Sequence, residues 1–353
     1  MNFAFTSEQE QLRKEARRFL EKHSSLRDVR RAMESEAGFD RALWKKMAEM
    51  GWLSLAIPEE FGGAEAGRVE LVGLVEEMGR SLVCAPFFST VCLGVTALLS
   101  SSIEARSAWL AQIARGEAIV AFALDGVTAR REKNAVVLDG KCPFVIDGQA
   151  ADLLLVVARF EDRHHLFPVA ATAQGLTRVR LTTLDPTRRQ SEITFDKVAV
   201  SAGASYSEEA LEQTLNMARV TLAAESLGGA ERCLEMAVEY AKTRTQFGRA
   251  IGSFQAVKHK CADMLMKVEA ARSAVYAAAC ASEEELPMAA AVAKAYASET
   301  FFHCAAECVQ IHGGIGFTWE HDAHLFLKRA RSNEALFGTP TFHRERIATW
   351  TGL

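Results

Sequence analysis

A central block of short β-type segments, enclosed on both sides by helical patterns, most strongly constrains how this chain folds. Between Gly116 and Ala204 the apolar runs are short, rich in β-branched residues and separated by Gly, Asp and Pro, as in AIVAFAL, NAVVLDG, DLLLVVARF and SEITFDKVAV. Such runs predict the strands of a small antiparallel sheet or barrel. On either side of this block, apolar residues recur at helical spacing. The sequence therefore predicts an α+β multidomain protein in the order helices, strands, helices.

The breaks in this pattern define three expected domains. They are an N-terminal helical domain over residues 1–115, a central antiparallel β-domain over 116–204 and a C-terminal helical domain over 205–353. The first helix is expected to start at a capping box, because Thr6 is followed three residues later by Gln9. In the last domain, strong periodicity predicts helices over Leu211–Thr243, Ser253–Ala281, Pro287–His312 and Asp322–Leu336.

Composition and charge argue against several classes of function. Of the 353 residues, 49% are hydrophobic and 24% are charged, which is typical of a globular protein. The formal net charge of -4 argues against nucleic acid or an anionic membrane surface as the main partner. No run of about 18 apolar residues predicts a membrane span, and the mixed-charge start of the sequence is unlike a signal peptide. We therefore expect a cytoplasmic protein.

The eight cysteines are scattered through apolar context and form no CxxC pair. This usage is typical of reduced thiols in a cytoplasmic protein. Cys304 and Cys308 share a helix face in an apolar stretch of the chain. Core packing is therefore the preferred interpretation of this pair, and no metal site is predicted.

Two glycine-containing stretches in the C-terminal segment are candidate anion-binding loops. In YAKTRTQFGRAIGSFQA, a helix ends near Lys242 and Arg244, and a turn follows before Ser253 can cap the next helix. A guanidinium beside backbone amides suits an anion, but cations that cap a helix C-terminus give the same pattern. In QIHGGIGFT (310–318), adjacent glycines allow close backbone approach to a phosphate. Gly-Gly-x-Gly is nevertheless often a plain loop, and His312 alone is more often structural than catalytic.

A third stretch, NEALFGT (333–339), ends in a helix stop at Gly338 that is preceded by a large ring. Glycine accepts the left-handed backbone angles of such a stop. The ring of Phe337 either packs, or it occupies a position where a reaction would require a different side chain.

Together, these stretches resemble the acyl-CoA dehydrogenase family from end to end. The segments that carry the resemblance are FTSEQEQLRKEARRFLEKH, AIPEEFGG, YAKTRTQFGRAIGSFQAVKHKCADM, VQIHGGIGFTWEHDAHLFLKRAR and FHRERIA. The resemblance implies an N-terminal helical domain, a central β-domain and a C-terminal four-helix bundle, assembled as dimers or tetramers. It also implies FAD as the cofactor, because members abstract the α-proton of an acyl-CoA while a β-hydride passes to the flavin. The implied partners are acyl-CoA and, as electron acceptor, an electron-transfer flavoprotein.

Residue by residue, the resemblance transfers one set of FAD contacts intact. In the family, this set reaches FAD that is bound mainly by a neighbouring subunit. Arg244 would meet the pyrophosphate, Phe247 would support that turn, and Gln255 would lie near the adenine. The second FAD-contacting loop of the family is matched by Gln310, Gly313 and Gly314.

The positions that the resemblance assigns to the flavin ring are altered. The strand AFAL runs into Asp125-Gly126-Val127 in place of the family's longer Thr-Glu-Pro…Gly-Ser-Asp loop. The family's Trp-Ile-Thr aligns with Phe144-Val145-Ile146, so Phe144 stays a candidate flavin contact, whereas Ile146 cannot donate a hydrogen bond. Thr339 keeps the threonine of the family's Tyr-Glu-Gly-Thr turn. One lost neutral hydrogen bond costs only about 0.5–1.5 kcal/mol, which alone would not abolish flavin binding.

Neither position at which the family places its catalytic glutamate holds a carboxylate. One position is Phe337, and the other is Ala218, directly before Arg219. A positioned general base contributes roughly 10² to 10⁴-fold to a rate. Glu225 is the one substitute that we name, because it lies seven residues beyond Ala218 on nearly the same helix face, although about 10 Å away by helical rise. Its other interpretation is a polar interior or interface residue.

Two functions from different classes fit this pattern. The first is an FAD-dependent acyl-CoA dehydrogenase that uses Glu225 or a base from its partner. The second is a non-catalytic structural subunit that completes the FAD site of a paralogous catalytic chain through Arg244, Gln255 and the Gly313-Gly314 loop. The second is favoured for this chain alone, because only the positions around its own flavin ring are altered. Both predict a homo-oligomer or a hetero-oligomer, and analogy suggests fatty acid or steroid side chains as the acyl group.

Overall fold

The computed structural model describes residues 5–132, 135–200 and 204–353, and it begins with a series of helices. These helices are α1 (Ser7–His23), α2 (Leu26–Glu34), α3 (Arg41–Glu49), α4 (Arg68–Arg80), α5 (Thr96–Leu99) and α6 (Arg106–Ala114). The capping box expected at the first helix is present, because the Thr6 side chain accepts from the Gln9 amide and the Gln9 side chain accepts from the Thr6 amide. The sequence therefore specifies the start of α1 locally.

A π-helical segment, Phe88–Val95, leads directly into α5 and contacts the first strand of the sheet. All of its eight residues are buried. The Thr90 hydroxyl donates to the Val120 carbonyl at 3.3 Å and accepts from the Val120 amide at 3.1 Å. These two bonds join the segment to the edge of the sheet. Together with α5, the segment forms one helical stretch over Phe88–Leu99, with wider turns in its first part.

The central sheet is built from eight strands. They are β1 (Val120–Ala123), β2 (Val127–Glu132), β3 (Ala135–Ile146), β4 (Leu153–Phe160), β5 (Arg163–Ala170), β6 (Leu176–Arg180), β7 (Gln190–Val200) and β8 (Ala204–Ser205). The order is β6-β7-β3-β2-β4-β5-β8, with β1 paired to β4. Most pairs are antiparallel, as the sequence predicts, but β1 with β4 and β2 with β4 are parallel. Parallel pairing becomes possible because the β2–β3 hairpin is the crossover between β1 and β4.

Strand β3 contains an irregularity that exposes one aromatic side chain. The register of β3 against β7 shifts between Cys142 and Val145, which is a β-bulge. Within the bulge, Phe144 has a φ of 58° and a side chain that is 61% exposed. Ile146, beyond the bulge, is buried and pairs with Gln190 on β7. The bulge therefore turns Phe144 outward and leaves Ile146 in the core.

The last part of the chain is helical. It contains α7 (Glu208–Thr243), the two-stranded hairpin β9 (Thr245–Gln246) and β10 (Arg249–Ala250), α8 (Gln255–Cys280), α9 (Leu286–His312), α10 (Ala323–Ala335) and α11 (Pro340–Trp350). The four long helices expected from periodicity are all present, with ends that differ by at most three residues. None of the helices in the described ranges is long and apolar enough to cross a membrane.

Packing divides the chain into two compact units. One contains the chain up to Val29, Arg68–Val83 and Arg219–Leu353, so α1 and α4 pack with the C-terminal helices. The other contains Arg30–Gly67 and Cys84–Ala218, which includes the sheet. This division follows packing rather than sequence order, and the domain boundaries at 116 and 204 stay predictions.

Candidate functional site

The hairpin that follows α7 displays the first set of predicted FAD contacts. Thr245 pairs with Ala250 and Gln246 with Arg249, which leaves a two-residue turn. Both turn residues, Phe247 and Gly248, have positive φ, of 51° and 75°, as a type I′ hairpin requires. Phe247 consequently points outward and is 91% exposed. The hairpin is a projecting arm rather than part of the core.

Arg244 lies at the base of this arm. Its amide donates to the Tyr240 carbonyl at 2.8 Å, and its carbonyl accepts from the Ile251 amide at 2.8 Å. The backbone is therefore fixed on both sides of the arm while the Arg244 side chain is exposed. Gln255, at the first position of α8, is also exposed. These side chains can meet a ligand or another chain without rearranging the helices.

The second predicted loop, at the end of α9, is open to approach. Gly313 has a φ of 64°, which favours glycine, and Gln310, Gly313 and Gly314 are all exposed. A Cβ atom added to Gly313 or Gly314 would meet nothing within 4 Å, whereas one added to Gly316 would meet the Val309 carbonyl oxygen at 2.8 Å. The first two glycines therefore leave space on the outside of the loop, where an external group can come close to the backbone.

A ring stack that the sequence did not reveal joins the arm to this loop. The ring of Tyr240, one turn before Arg244, lies 4.4 Å from the ring of His312 at an interplanar angle of 26°. His312 Nδ1 donates to the Cys308 carbonyl at 2.7 Å, which fixes the ring on α9. Burial opposes a charge on the imidazole, but its hydrogen bonds to Cys308 outweigh this effect and raise the pKa of His312. The only sequence signal was the position of His312 beside two glycines.

The arm and the loop together have the properties of an anion and nucleotide site. The exposed guanidinium of Arg244 suits a pyrophosphate, and the open glycines allow a phosphate or a ring to approach backbone. Both elements belong to one compact unit, and the Tyr240–His312 stack connects them. These residues therefore fit the anionic part of FAD.

The turn at Phe337 is closely packed, unlike the exposed hairpin and the Gly313-Gly314 loop. Phe337 has a φ of 55° and Gly338 a φ of 104°, so the chain reverses sharply between α10 and α11. A Cβ atom on Gly338 would meet the ring of Phe342 at 2.6 Å and His343 Nε2 at 2.7 Å, which explains the glycine. The Thr339 hydroxyl accepts from the Phe342 amide at 3.3 Å and caps α11. Thr339 can still donate its hydroxyl proton, so its predicted flavin contact stays a prediction.

Glu225, the proposed substitute base, lies in a buried ion pair. Its Oε1 atom accepts from Arg329 Nη1 at 2.9 Å and from Asn333 Nδ2 at 3.1 Å. Glu225 is 6% exposed and Arg329 is 2% exposed. Arg329 lies within α10, eight residues before Phe337. The geometry favours a structural ion pair between α7 and α10, and a catalytic role for Glu225 stays an untested prediction.

The remaining positions of interest are buried or closely packed. Ala218, the alternative base position, is fully buried. Gly126, with a φ of 85°, lies so close to β3 that a Cβ atom there would meet the Lys141 carbonyl oxygen at 2.1 Å. Among the residues that the structure describes, no group of three or more His, Cys, Asp or Glu side chains could hold a metal ion. Cys304 and Cys308 are both fully buried.

Comparisons with known proteins extend these observations. Residues 6–117 match the family described as acyl-CoA dehydrogenase, N-terminal domain, and residues 209–352 match acyl-CoA dehydrogenase, C-terminal domain. The chain is 37% identical over 340 residues to acyl-CoA dehydrogenase IpdE2 of Mycobacterium tuberculosis strain H37Rv, with 94% of each chain covered.

Solved structures show the same fold. The ChsE4–ChsE5 complex from Mycobacterium tuberculosis contains a chain with a TM-score of 0.94 and 29% identity, covering 100% of this chain and 99% of that chain. Butyryl-CoA dehydrogenase from Megasphaera elsdenii gives a TM-score of 0.92 at 26% identity and covers 100% of both chains. A Tcur3481–Tcur3483 steroid ACAD gives a TM-score of 0.90 at 30% identity, covering 98% of both.

Proposed function

This chain belongs to the acyl-CoA dehydrogenase family, and from that premise we propose that it acts within an oligomer that dehydrogenates an acyl-CoA between its α and β carbons. In this oligomer, the chain is the non-catalytic subunit that completes the FAD site of a paralogous catalytic chain. FAD, when bound, accepts the hydride. The catalytic chain supplies the base that removes the α-proton.

One observation carries this proposal: the residues that would serve a neighbour's FAD are displayed, while the positions for a base hold Phe337 and buried Ala218. Arg244 is exposed beside a projecting hairpin, and Gly313 and Gly314 leave open space along their loop. A chain that had simply lost its function would be expected to lose both sets. Retention of one set and loss of the other therefore supports a role in an assembly.

The residues of this chain have separate tasks in the proposed site. Arg244 would hold the pyrophosphate through charge-assisted hydrogen bonds, and Phe247 would support the hairpin turn beside it. Gln255 would lie near the adenine, and the Gly313-Gly314 backbone would approach the cofactor closely. In the unit that contains the sheet, Phe144 is the exposed candidate for contact with a flavin ring. None of these tasks moves a proton.

The proposed partners follow from the family and from the relatives. The substrate is an acyl-CoA, and the electron acceptor is an electron-transfer flavoprotein. One similar solved structure is named as a complex of two differently named chains, ChsE4 and ChsE5, which supports a hetero-oligomer. Another is named as a steroid ACAD, which supports a bulky acyl group such as a steroid side chain.

Co-expression with a paralogue from the same locus, followed by a count of FAD per chain, tests the proposal. The expected result is a mixed complex with less than one FAD per chain and with dye-linked oxidation of acyl-CoA. Replacement of the paralogue's turn glutamate by Gln should abolish that oxidation without loss of FAD. A complex in which the oxidation survives that replacement would contradict the division of roles.

A further inference from the structure

Basic side chains from three different helices donate hydrogen bonds to the backbone of the Phe337 turn. Lys294, on α9, donates from Nζ to the Gly338 carbonyl at 3.0 Å and to the Glu334 carbonyl at 3.4 Å. Its third contact is the Ser298 hydroxyl, at 3.0 Å on its own helix. One side chain therefore bridges the end of α10 and the turn that follows it.

Two further donors converge on the Phe337 carbonyl. His343 Nε2, on α11, lies 3.1 Å from that oxygen, and Arg219 Nε, on α7, lies 3.5 Å from it. A carbonyl oxygen can only accept, so His343 carries its proton on Nε2. Lys294 and His343 are fully buried, and Arg219 is 4% exposed. Burial of a basic group is costly unless the group is hydrogen-bonded. Here Lys294, His343 and Arg219 each donate a hydrogen bond to a backbone carbonyl of the turn.

The backbone of the turn requires such support. Phe337 occupies the left-handed region with a φ of 55°, which is unfavourable for a residue with a Cβ atom. Strained residues of this kind persist only where the surrounding structure over-determines their conformation. The donors from Lys294, Arg219 and His343 provide that constraint, because each fixes a carbonyl oxygen in or beside the turn.

We propose that Lys294 is a positioning residue that fixes the backbone of the turn at residue 337. Arg219 and His343 act with it through the Phe337 carbonyl. The functional meaning of this turn rests on the proposed function, because the family places a base there. The clamp, which is the set of hydrogen bonds from Lys294, Arg219 and His343 to the turn, consists only of contacts within this chain. Its donors contact backbone carbonyls, so this support does not depend on which side chain stands at residue 337.

The charge on Lys294 couples this clamp to pH. Burial lowers the pKa of Lys294 to about 7; Glu334 on α10 opposes this shift, and Arg219 on α7 adds to it. Burial, with Arg219 and Lys294, also lowers the pKa of His343 on α11 to about 4. A charged amine has three hydrogens to donate and a neutral amine has two. Deprotonation of Lys294 therefore removes the cost of its buried charge and leaves two hydrogens for the Gly338 and Glu334 carbonyls, while the Ser298 hydroxyl can donate to the amine lone pair.

Hydrogen–deuterium exchange of the complete, folded chain tests the proposal. The signal is the protection of peptides that cover residues 333–343, where the amides of Phe342 and His343 depend on Thr339. Lys294→Met should raise their exchange about tenfold, because the two turn contacts of Nζ are lost. Ser298→Ala is the matched control: it removes a buried partner of Lys294 but neither turn contact, and its effect should stay below about threefold.

The pH dependence separates positioning from general stabilisation. After correction for intrinsic rates, protection of the wild-type turn should rise as pH increases above the Lys294 pKa of about 7, because opening of the turn returns the amine to water, where it takes up the proton that burial disfavours. The same peptides of Lys294→Met should show no such transition. If Lys294→Met does not fold, the pH transition of the wild-type turn and its absence in Lys294→Gln provide the same test. Unchanged protection in the variant, or a wild-type turn insensitive to pH, would overturn the clamp while leaving the FAD count of the proposed function untouched.

Discussion

The arm around Arg244 and the turn around Phe337 lie in one compact unit, yet they are built in opposite ways. The arm projects Phe247 with 91% of its side chain exposed, and its loop neighbour Gly313 is surrounded by open space. The turn is instead closed by hydrogen bonds from the buried side chains of Lys294 and His343. The arm is open to contacts from outside the chain, whereas the turn is held by contacts within the chain.

This difference indicates how a family scaffold can divide its tasks between chains. A binding surface can be kept while the reactive group of the same fold is replaced, because the two depend on different contacts. The support of the turn does not need a carboxylate at residue 337, since it acts on backbone carbonyls. The turn can therefore hold its shape whichever side chain stands at residue 337, and a carboxylate can be placed there experimentally.

The largest expected effect comes from restoring a carboxylate to the turn. In an FAD-loaded assembly whose catalytic chain carries Gln in place of its own turn glutamate, Phe337→Glu should increase exchange of the α-proton of acyl-CoA by about 10² to 10⁴-fold, because a positioned base contributes this much. Solvent deuterium incorporation into acyl-CoA measures the effect. Phe337→Gln is the control, with the same size and no base. Equal rates in the two variants would show that the turn no longer faces a substrate.

The next effect concerns the buried ion pair between Glu225 on α7 and Arg329 on α10. Glu225→Gln should lower the free energy of unfolding by about 3 kcal/mol, because it removes the negative charge that pairs with the buried Arg329 guanidinium. Denaturant titration measures the loss. Glu299→Gln, which breaks the exposed pair with Arg344, should cost less than about 1 kcal/mol. Loss of proton abstraction with unchanged flavin absorbance would instead identify Glu225 as the base.

A smaller effect is expected at the base of the arm. Arg244→Ala should weaken FAD retention by about 1.5–3 kcal/mol in whichever assembly forms, because charge-assisted hydrogen bonds are lost. Equilibrium dialysis of the flavin measures the affinity. Arg249→Ala is the control: it lies on the same hairpin, and its guanidinium packs 4.2 Å from the centre of the Phe254 ring. Equal losses in both variants would indicate a general charge effect rather than a specific contact.

The smallest effect is expected at Gln255. Replacement by Ala removes a neutral side-chain contact near the adenine and should weaken FAD binding by only about 0.5–1.5 kcal/mol. The same dialysis experiment resolves this change. His259→Ala, one turn further along α8 and also exposed, should have no effect. A loss at Gln255 as large as that at Arg244 would mean that the adenine end dominates binding.

The sequence predicted those features that depend on neighbouring residues. The capping box at Thr6 and the long helices at the end of the chain follow from local pattern, and the structure confirms them. Strand β2 was not predicted, because Val127–Glu132 is mostly polar and alternates too weakly. Pairing with β3 compensates for this weak local preference.

Contacts between distant residues could not be predicted. The partner of Glu225 lies 104 residues further along the chain, so its ion pair with Arg329 required the packing of α7 against α10. Lys294 lies in an alanine-rich helix, where a lysine normally reaches solvent, and only the fold buries it under the turn. The stack of Tyr240 on His312 likewise depends on two helices meeting.

The division between the arm and the turn is tested most directly by counting FAD in the purified chain alone. The account predicts substoichiometric FAD and no dye-linked oxidation of acyl-CoA, because the chain offers its arm to a neighbour's cofactor and has no base at Phe337 or Ala218. One FAD per chain, together with oxidation of acyl-CoA, would contradict it.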